Sequence, residues 1–201
     1  MKRSVERILV THAGSLPRPD DLMPMLIAKN EGRPYDREAF SKRVQSAVAE
    51  VVRKQAECGV DIVNDGELGK SNFSRYTRER LSGFIERPPR ADFRPTSIFG
   101  RDLIEFPEYF NRGGRASIGH HARLFFCNEP LKYIGHAAVQ ADIDNLKAAL
   151  QGVRVEEAFL PAVAPGTMEH WMKNEHYPND EAYLFAIADA MHEEYKAIVD
   201  A

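Results

Sequence analysis

A helical pattern in this chain stops at Cys58-Gly59, and an apolar run, Val60-Asp61-Ile62-Val63-Asn64, follows at once. The run ends in two acids around a glycine, Asp65-Gly66-Glu67. A helix closed by glycine that feeds directly into a strand leaves few architectures open. Carboxylates at the C-terminal tip of such a strand mark the place where α/β folds carry their chemistry. A second strand tip lies upstream: Ile8-Leu9-Val10 runs into Thr11-His12-Ala13-Gly14-Ser15 and then Leu16-Pro17-Arg18-Pro19.

Between the two tips, Pro17, Pro19 and Pro24 argue against a regular helix, and Gly32 and Pro34 mark a turn. Asp36 is placed to cap a helix with Glu38 in its first turn. Phe40, Val44, Ala47, Val48, Val51, Val52 and Ala56 recur at helical spacing up to the Gly59 stop. Strand, helix, strand in this order predicts a β–α–β unit with parallel strands.

Downstream the pattern weakens. Residues 72–84 read as a helix carrying Phe73, Tyr76, Leu81 and Phe84, with Arg75, Arg78 and Arg80 on a solvated face. Residues 87–119 mix prolines, glycines, arginines and aromatics, and the wider stretch 87–135 reads as a lid or an inserted hairpin. Within it, residues 122–127 and 131–135 read as strands joined through Asn128-Glu129-Pro130. A helix with Ile143, Leu146, Ala149 and Leu150 on one face stops at Gly152. Residues 157–163 read as a buried strand, and residues 168–176 as a short helix or loop. A last helix starts near Asn179 with Leu184, Ile187, Met191, Tyr195 and Ile198 as its stripe.

Composition excludes several function classes. Of 201 residues, 28% are charged and the net charge is −3, so no basic surface for nucleic acid or anionic lipid is expected. No run approaches the roughly 20 apolar residues of a membrane span, and the N-terminus lacks a signal-peptide core. Cys58 and Cys127 lack metal-like spacing and read as reduced thiols, which points to a cytoplasmic protein.

Glu67 and Asp65 are carboxylates at a strand tip, suited to an ammonium group or a metal. The turn His12-Ala13-Gly14-Ser15 offers backbone N–H groups and a hydroxyl to a carboxylate. The two together suit an amino acid. Pro165-Gly166-Thr167 with Trp171 follows another strand end, and the indole suits a planar ring. His120-His121 alternate faces on a strand and read as loop histidines rather than a metal pair.

The segments 11–19, 55–67 and 164–167 with Trp171 resemble the cobalamin-independent methionine synthase family, in particular its short members that correspond to the catalytic C-terminal barrel. The resemblance implies a (β/α)8 barrel of the TIM type. It implies S-methyl transfer from a methylated folate, 5-methyltetrahydropteroyltriglutamate, to the zinc-activated thiol of homocysteine, in methionine biosynthesis. It puts Ala13 and Ser15 in the turn that holds the amino-acid substrate, with His12 beside them. Glu67 falls on the substrate-binding glutamate, with Asp65 and Thr167 in support, and Trp171 falls near the folate ring. The family's zinc ligands, a His-x-Cys pair, a glutamate and a further cysteine, would lie beyond residue 201, so no metal ligand is expected within this chain. The expectation is the first half of a barrel, whose open edges favour self-association. The alternatives are a non-catalytic remnant, or a relative in the same barrel superfamily that binds another small molecule, such as a different thiol or a porphyrin-like acid.

Overall fold

The computed structural model describes residues 2–88, 105–108 and 124–201. The chain divides into two compact units. The first comprises Met1–Arg80, Ile134–Val163 and His192–Ala201. The second comprises Leu81–Tyr133 and Ala164–Met191.

In the first unit, helix α1 spans Leu22–Asn30, against the expectation that the prolines forbid one. Pro24 is the third residue of this helix, where no intrahelical partner awaits its missing N–H, so the ring costs no hydrogen bond. Helix α2 spans Arg37–Glu57, and the Asp36 carboxylate accepts from the backbone N–H groups of Glu38 and Ala39. Its C-terminus turns at Gly59, whose φ of +81° is the left-handed cap that glycine allows. Strand β1, Ile62–Asn64, follows.

The upstream segment is extended rather than a full strand. Thr11 bridges Ile62 in parallel, and Val10 O accepts from the N–H groups of Asp61 and Ile62. The parallel relation of the two tips thus matches the β–α–β reading. Helix α3 covers Phe73–Arg80 only, shorter than the expected helix over 72–84. Helix α4, His136–Ala149, ends in a turn at Gly152 (φ +75°) and leads to strand β4, Glu157–Phe159, which pairs β1 in parallel. β4 is shorter than expected; Pro161 has no N–H to extend its ladder. Leu22, Val44, Val48, Val52, Val63, Leu68 and Leu146 form the core of this unit. Apart from Leu68, in the turn after β1, these residues come from α1, α2, β1 and α4, the layered packing of an α/β fold.

In the second unit, strand β2, Leu81–Arg87, takes up Leu81 and Phe84, which the sequence reading places in a helix. Strand β3, Leu124–Tyr133, runs antiparallel to β2, and strand β5, Met172–Asn174, lies parallel on its other side. The expected two strands around Pro130 are one. Ser82 pairs Lys132 while Phe84 pairs Cys127, so residues 128–131 bulge out opposite Gly83. A bulge tolerates a proline because its N–H is not needed for the ladder.

Helix α5, Pro165–Trp171, precedes β5 directly. The final helix α6, Asp180–Asp200, buries Tyr183, Ile187, Met191 and Glu194; Leu184 is exposed, one position off the expected stripe. The expected lid region lies outside the described residues at 89–104 and 109–123, as do His120 and His121. No helix among the described residues is long and apolar enough to cross a membrane.

Candidate functional site

The turn after β1 is held by an amide lattice. Asn64 is fully buried. Its Nδ2 donates to His12 O at 2.7 Å, and its Oδ1 accepts from Gly66 N at 2.8 Å. Its own backbone exchanges two hydrogen bonds with the Gln55 amide of α2. One side chain therefore ties the two strand tips together and shapes the turn.

The next residues leave ordinary backbone space. Gly66 has φ +62°, and a Cβ there would meet Leu16 at 3.2 Å. Glu67 follows with φ +56°, the single non-glycine residue with positive φ among the described residues. A left-handed non-glycine residue costs about 1–2 kcal/mol, so the surroundings must impose it. Arg18 does so in part: its Nη2 donates to Glu67 O at 3.0 Å and Lys70 O at 2.6 Å. Asp65 Oδ1 accepts from Glu67 N at 3.0 Å.

This backbone presents the Glu67 carboxylate to Ser15, whose hydroxyl donates to Oε2 at 2.6 Å. The two residues, 52 positions apart in sequence, open on one cavity of about 200 Å³. Lys70, Ser71, Asn72, Tyr76 and the segment 161–163 complete its wall. Lys70 Nζ ion-pairs with Asp65 Oδ2 at 3.1 Å and donates to Pro161 O at 3.0 Å.

Behind the wall, the Arg80 guanidinium lies 4.7 Å from the Tyr76 ring centroid. Arg80 is buried and pairs with Asp142 at 2.6 Å and Glu194 at 3.3 Å, so the solvated face expected for it is corrected. Two acids on one buried guanidinium keep its charge compensated in a low-dielectric setting. Burial pushes the Glu194 carboxyl up to about 7, and it raises Asp142 in the same direction.

Other residues singled out from the sequence sit elsewhere. His12 turns back on its own loop, with Nε2 3.0 Å from Gly14 O. It lines a second cavity beside α2 rather than the one shared by Ser15 and Glu67. A hydrogen bond two residues ahead holds the imidazole in the turn. Ala13 is exposed. Trp171 and Thr167 belong to α5 of the second unit; Trp171 is half-buried, with its ring edge-on to His170 at 5.4 Å.

Arg18, Asn64 and Lys70 were within reach of sequence reading but carried no assigned role. Arg18 lies in the proline-rich turn, and Lys70 three residues past Glu67 reads most simply as that acid's surface partner. Its salt bridge goes to Asp65 instead.

The described residues hold no group of three His, Cys, Asp or Glu that would take a metal ion. The donor chemistry agrees: burial pushes the Cys127 thiol up to about 11, and its Sγ donates to Glu129 O, so it is no ready thiolate. The residues described here do not fit the zinc site that the resemblance implies.

No family model matches the chain. Curated methionine synthases do. The protein of Pyrococcus furiosus is 25% identical over 185 residues, covering 92% of this chain and 46% of that protein. The Thermococcus kodakarensis protein is 26% identical over the same shares, and that of Saccharolobus islandicus 25% identical over 95% of this chain and 49% of its own length. The chain thus spans about half the length of the curated relatives it matches.

Among solved structures, a B12-independent methionine synthase from Shewanella sp. W3-18-1, in complex with selenomethionine, superposes with a TM-score of 0.61 at 18% identity. The superposition covers 95% of this chain and 48% of that one. A putative vitamin-B12 independent methionine synthase from Listeria monocytogenes gives 0.61 at 17% identity, covering 96% and 50%. The chain is therefore similar in sequence to methionine synthases, and its fold is like that of about half of a B12-independent methionine synthase.

Proposed function

We propose that this chain supplies the thiol-substrate site of a methyltransferase of the methionine-synthase type, and that the cavity shared by Ser15 and Glu67 receives homocysteine. The observation that carries the reading is the Glu67 carboxylate. It is set by a left-handed backbone, oriented by the 2.6 Å bond from Ser15, and turned to a cavity of amino-acid size. Among the described residues Oε1 accepts no hydrogen bond, so an ammonium group finds a charged acceptor already in place. The similarity to curated methionine synthases supports the same substrate.

In the reaction the methyl carbon leaves the nitrogen of a methylated folate and bonds to the thiol sulfur, which must shed its proton. This chain's residues bind and orient the thiol's amino-acid end. Trp171 is proposed as the contact for the folate ring, with Thr167 beside it. A (β/α)8 barrel and a cytoplasmic setting complete the reading.

The test is titration of homocysteine into the protein by calorimetry, with Glu67→Gln in parallel, followed by an assay for methionine formed from homocysteine and methylated folate. Saturable binding that weakens at least tenfold in Glu67→Gln is expected. No binding to the wild type, or equal binding to the variant, defeats the assignment.

A further inference from the structure

Resting on the homocysteine reading for its ligand alone, we infer that Glu194 is a positioning residue of the cavity: as a neutral carboxylic acid it leaves Arg80 to Asp142 and so keeps the Tyr76 wall in its binding shape. A charge count carries the inference. Among the described residues, Asp65 pairs with Lys70 at 3.1 Å, and Asp142 and Glu194 approach Arg80 at 2.6 and 3.3 Å. None of the five side chains is more than 19% exposed. Two cations against three carboxylates leave one negative charge without a counter-charge. Burying an unpaired charge costs more than keeping a proton on it, so the cluster holds one proton near neutral pH.

The geometry says which acid holds it. Asp142 Oδ2 accepts a hydrogen bond from Arg80 Nη2. Arg80 Nε, which faces Glu194, finds no hydrogen-bond acceptor among the described residues, so that contact is one of charge alone. Glu194 is also the member with no exposed side-chain surface, and burial pushes its carboxyl up to about 7 against the pull of the Lys70 charge. Tyr195, next to it on α6, is pushed up to about 12 by burial and stays neutral. The Arg80 guanidinium is shared: it lies 4.7 Å from the Tyr76 ring centroid, and Nη1 donates to Gly135 O at 3.4 Å. Tyr76 is buried and lines the cavity, and the Lys70 ammonium lies 5.6 Å from the same ring. With Glu194 neutral, each cation has one carboxylate and both stay over Tyr76. Once Glu194 ionises, it draws both cations, and the ring loses the contacts that hold it.

The test is a pH titration of the full chain carrying 13C-labelled tyrosine, with Glu194→Gln in parallel, which keeps the shape and cannot ionise. The Tyr76 ring signal, identified by its loss in Tyr76→Phe, should shift in the wild type with a midpoint near 7. In Glu194→Gln it should stay fixed from about pH 5.5 to 8.5. Homocysteine binding, by calorimetry, should weaken over the same range in the wild type, toward about tenfold per pH unit above the midpoint, the limit for a state that needs one proton. Glu194→Gln should bind more tightly than the wild type at the alkaline end, a gain that no merely structural role produces.

A wild-type Tyr76 signal that does not move overturns the inference, a result that needs no variant to fold. So does a pH response that persists unchanged in Glu194→Gln, which puts the titrating group elsewhere. Homocysteine binding that ignores pH while Tyr76 titrates sinks the positioning role alone. If homocysteine binds at no pH, the functional reading itself fails, and the Tyr76 titration by itself upholds or overturns the role of Glu194.

Discussion

Asn64→Asp is the sharpest probe of how the site is built. It exchanges one donor for an acceptor and leaves the size unchanged. In the wild type, Nδ2 donates to His12 O at 2.7 Å and Oδ1 accepts from Gly66 N at 2.8 Å, at a residue with no exposed surface. An ionised carboxylate there keeps the bond from Gly66 and strengthens it. It also sets a charged oxygen against the His12 carbonyl and is itself desolvated. Losing the donor and burying the charge costs about 2–4 kcal/mol, and the charged bond to Gly66 returns part of this, leaving a net cost of about 2 kcal/mol at neutral pH.

Protonation restores an O–H donor to His12 O. The folded-state pKa of the introduced carboxyl is thus raised above the unfolded value of about 3.9. About 2 kcal/mol at 1.36 kcal/mol per unit puts it between about 5 and 6. A raised pKa means stability present below the unfolded pKa and lost as pH rises through the folded one. Urea unfolding of variant and wild type at matched pH should show near-equal midpoints around pH 4 and a deficit that grows between pH 5 and 7. A difference that stays flat from pH 4 to 8 would refute the lattice as the cause.

Three further expectations follow from the same geometry. Glu67→Gly should be more stable than Glu67→Ala by about 0.5–1 kcal/mol in urea melts, because both lose the carboxylate and only alanine keeps the left-handed strain, offset by the glycine's unfolded-state entropy; equal stability would mean the turn is unstrained in solution. Gly83→Ala should destabilise the sheet of the second unit by about 2–4 kcal/mol, read as earlier thermal unfolding, since a Cβ meets Glu129 O at 2.9 Å and Pro130 O at 3.0 Å at a φ of +96°. At pH 8 a thiol reagent should label exposed Cys58 in the native protein and reach Cys127, whose thiol burial pushes up to about 11, only in denaturant; rapid labelling of both thiols contradicts that burial.

Sequence and tertiary structure divided the work along the range of the interactions. What lay within a turn or two of one residue was legible. The Asp36 cap, the apolar stripe of α2, the Gly59 stop and the apolar run of β1 were all readable, because capping, helical spacing and positive φ are set by neighbours in the chain. The motifs also pointed to methionine synthases, which the similarity of sequence and fold supports.

Where the sequence misled about residues 72–84, a partner distant in the chain outweighed the local signal. The arginine-rich helical pattern over 72–84 ends at Arg80 because β2 finds its ladder on β3, whose paired residues lie 37 to 52 positions later. Arg80 itself leaves the solvent because Asp142 and Glu194 arrive from α4 and α6 to compensate it.

The candidate site follows the same rule. That Glu67 stands at a strand tip was evident from its neighbours. That its carboxylate is held by Ser15 and its backbone by Arg18 depended on segments some 50 residues apart meeting at one turn, and no local pattern encodes that meeting.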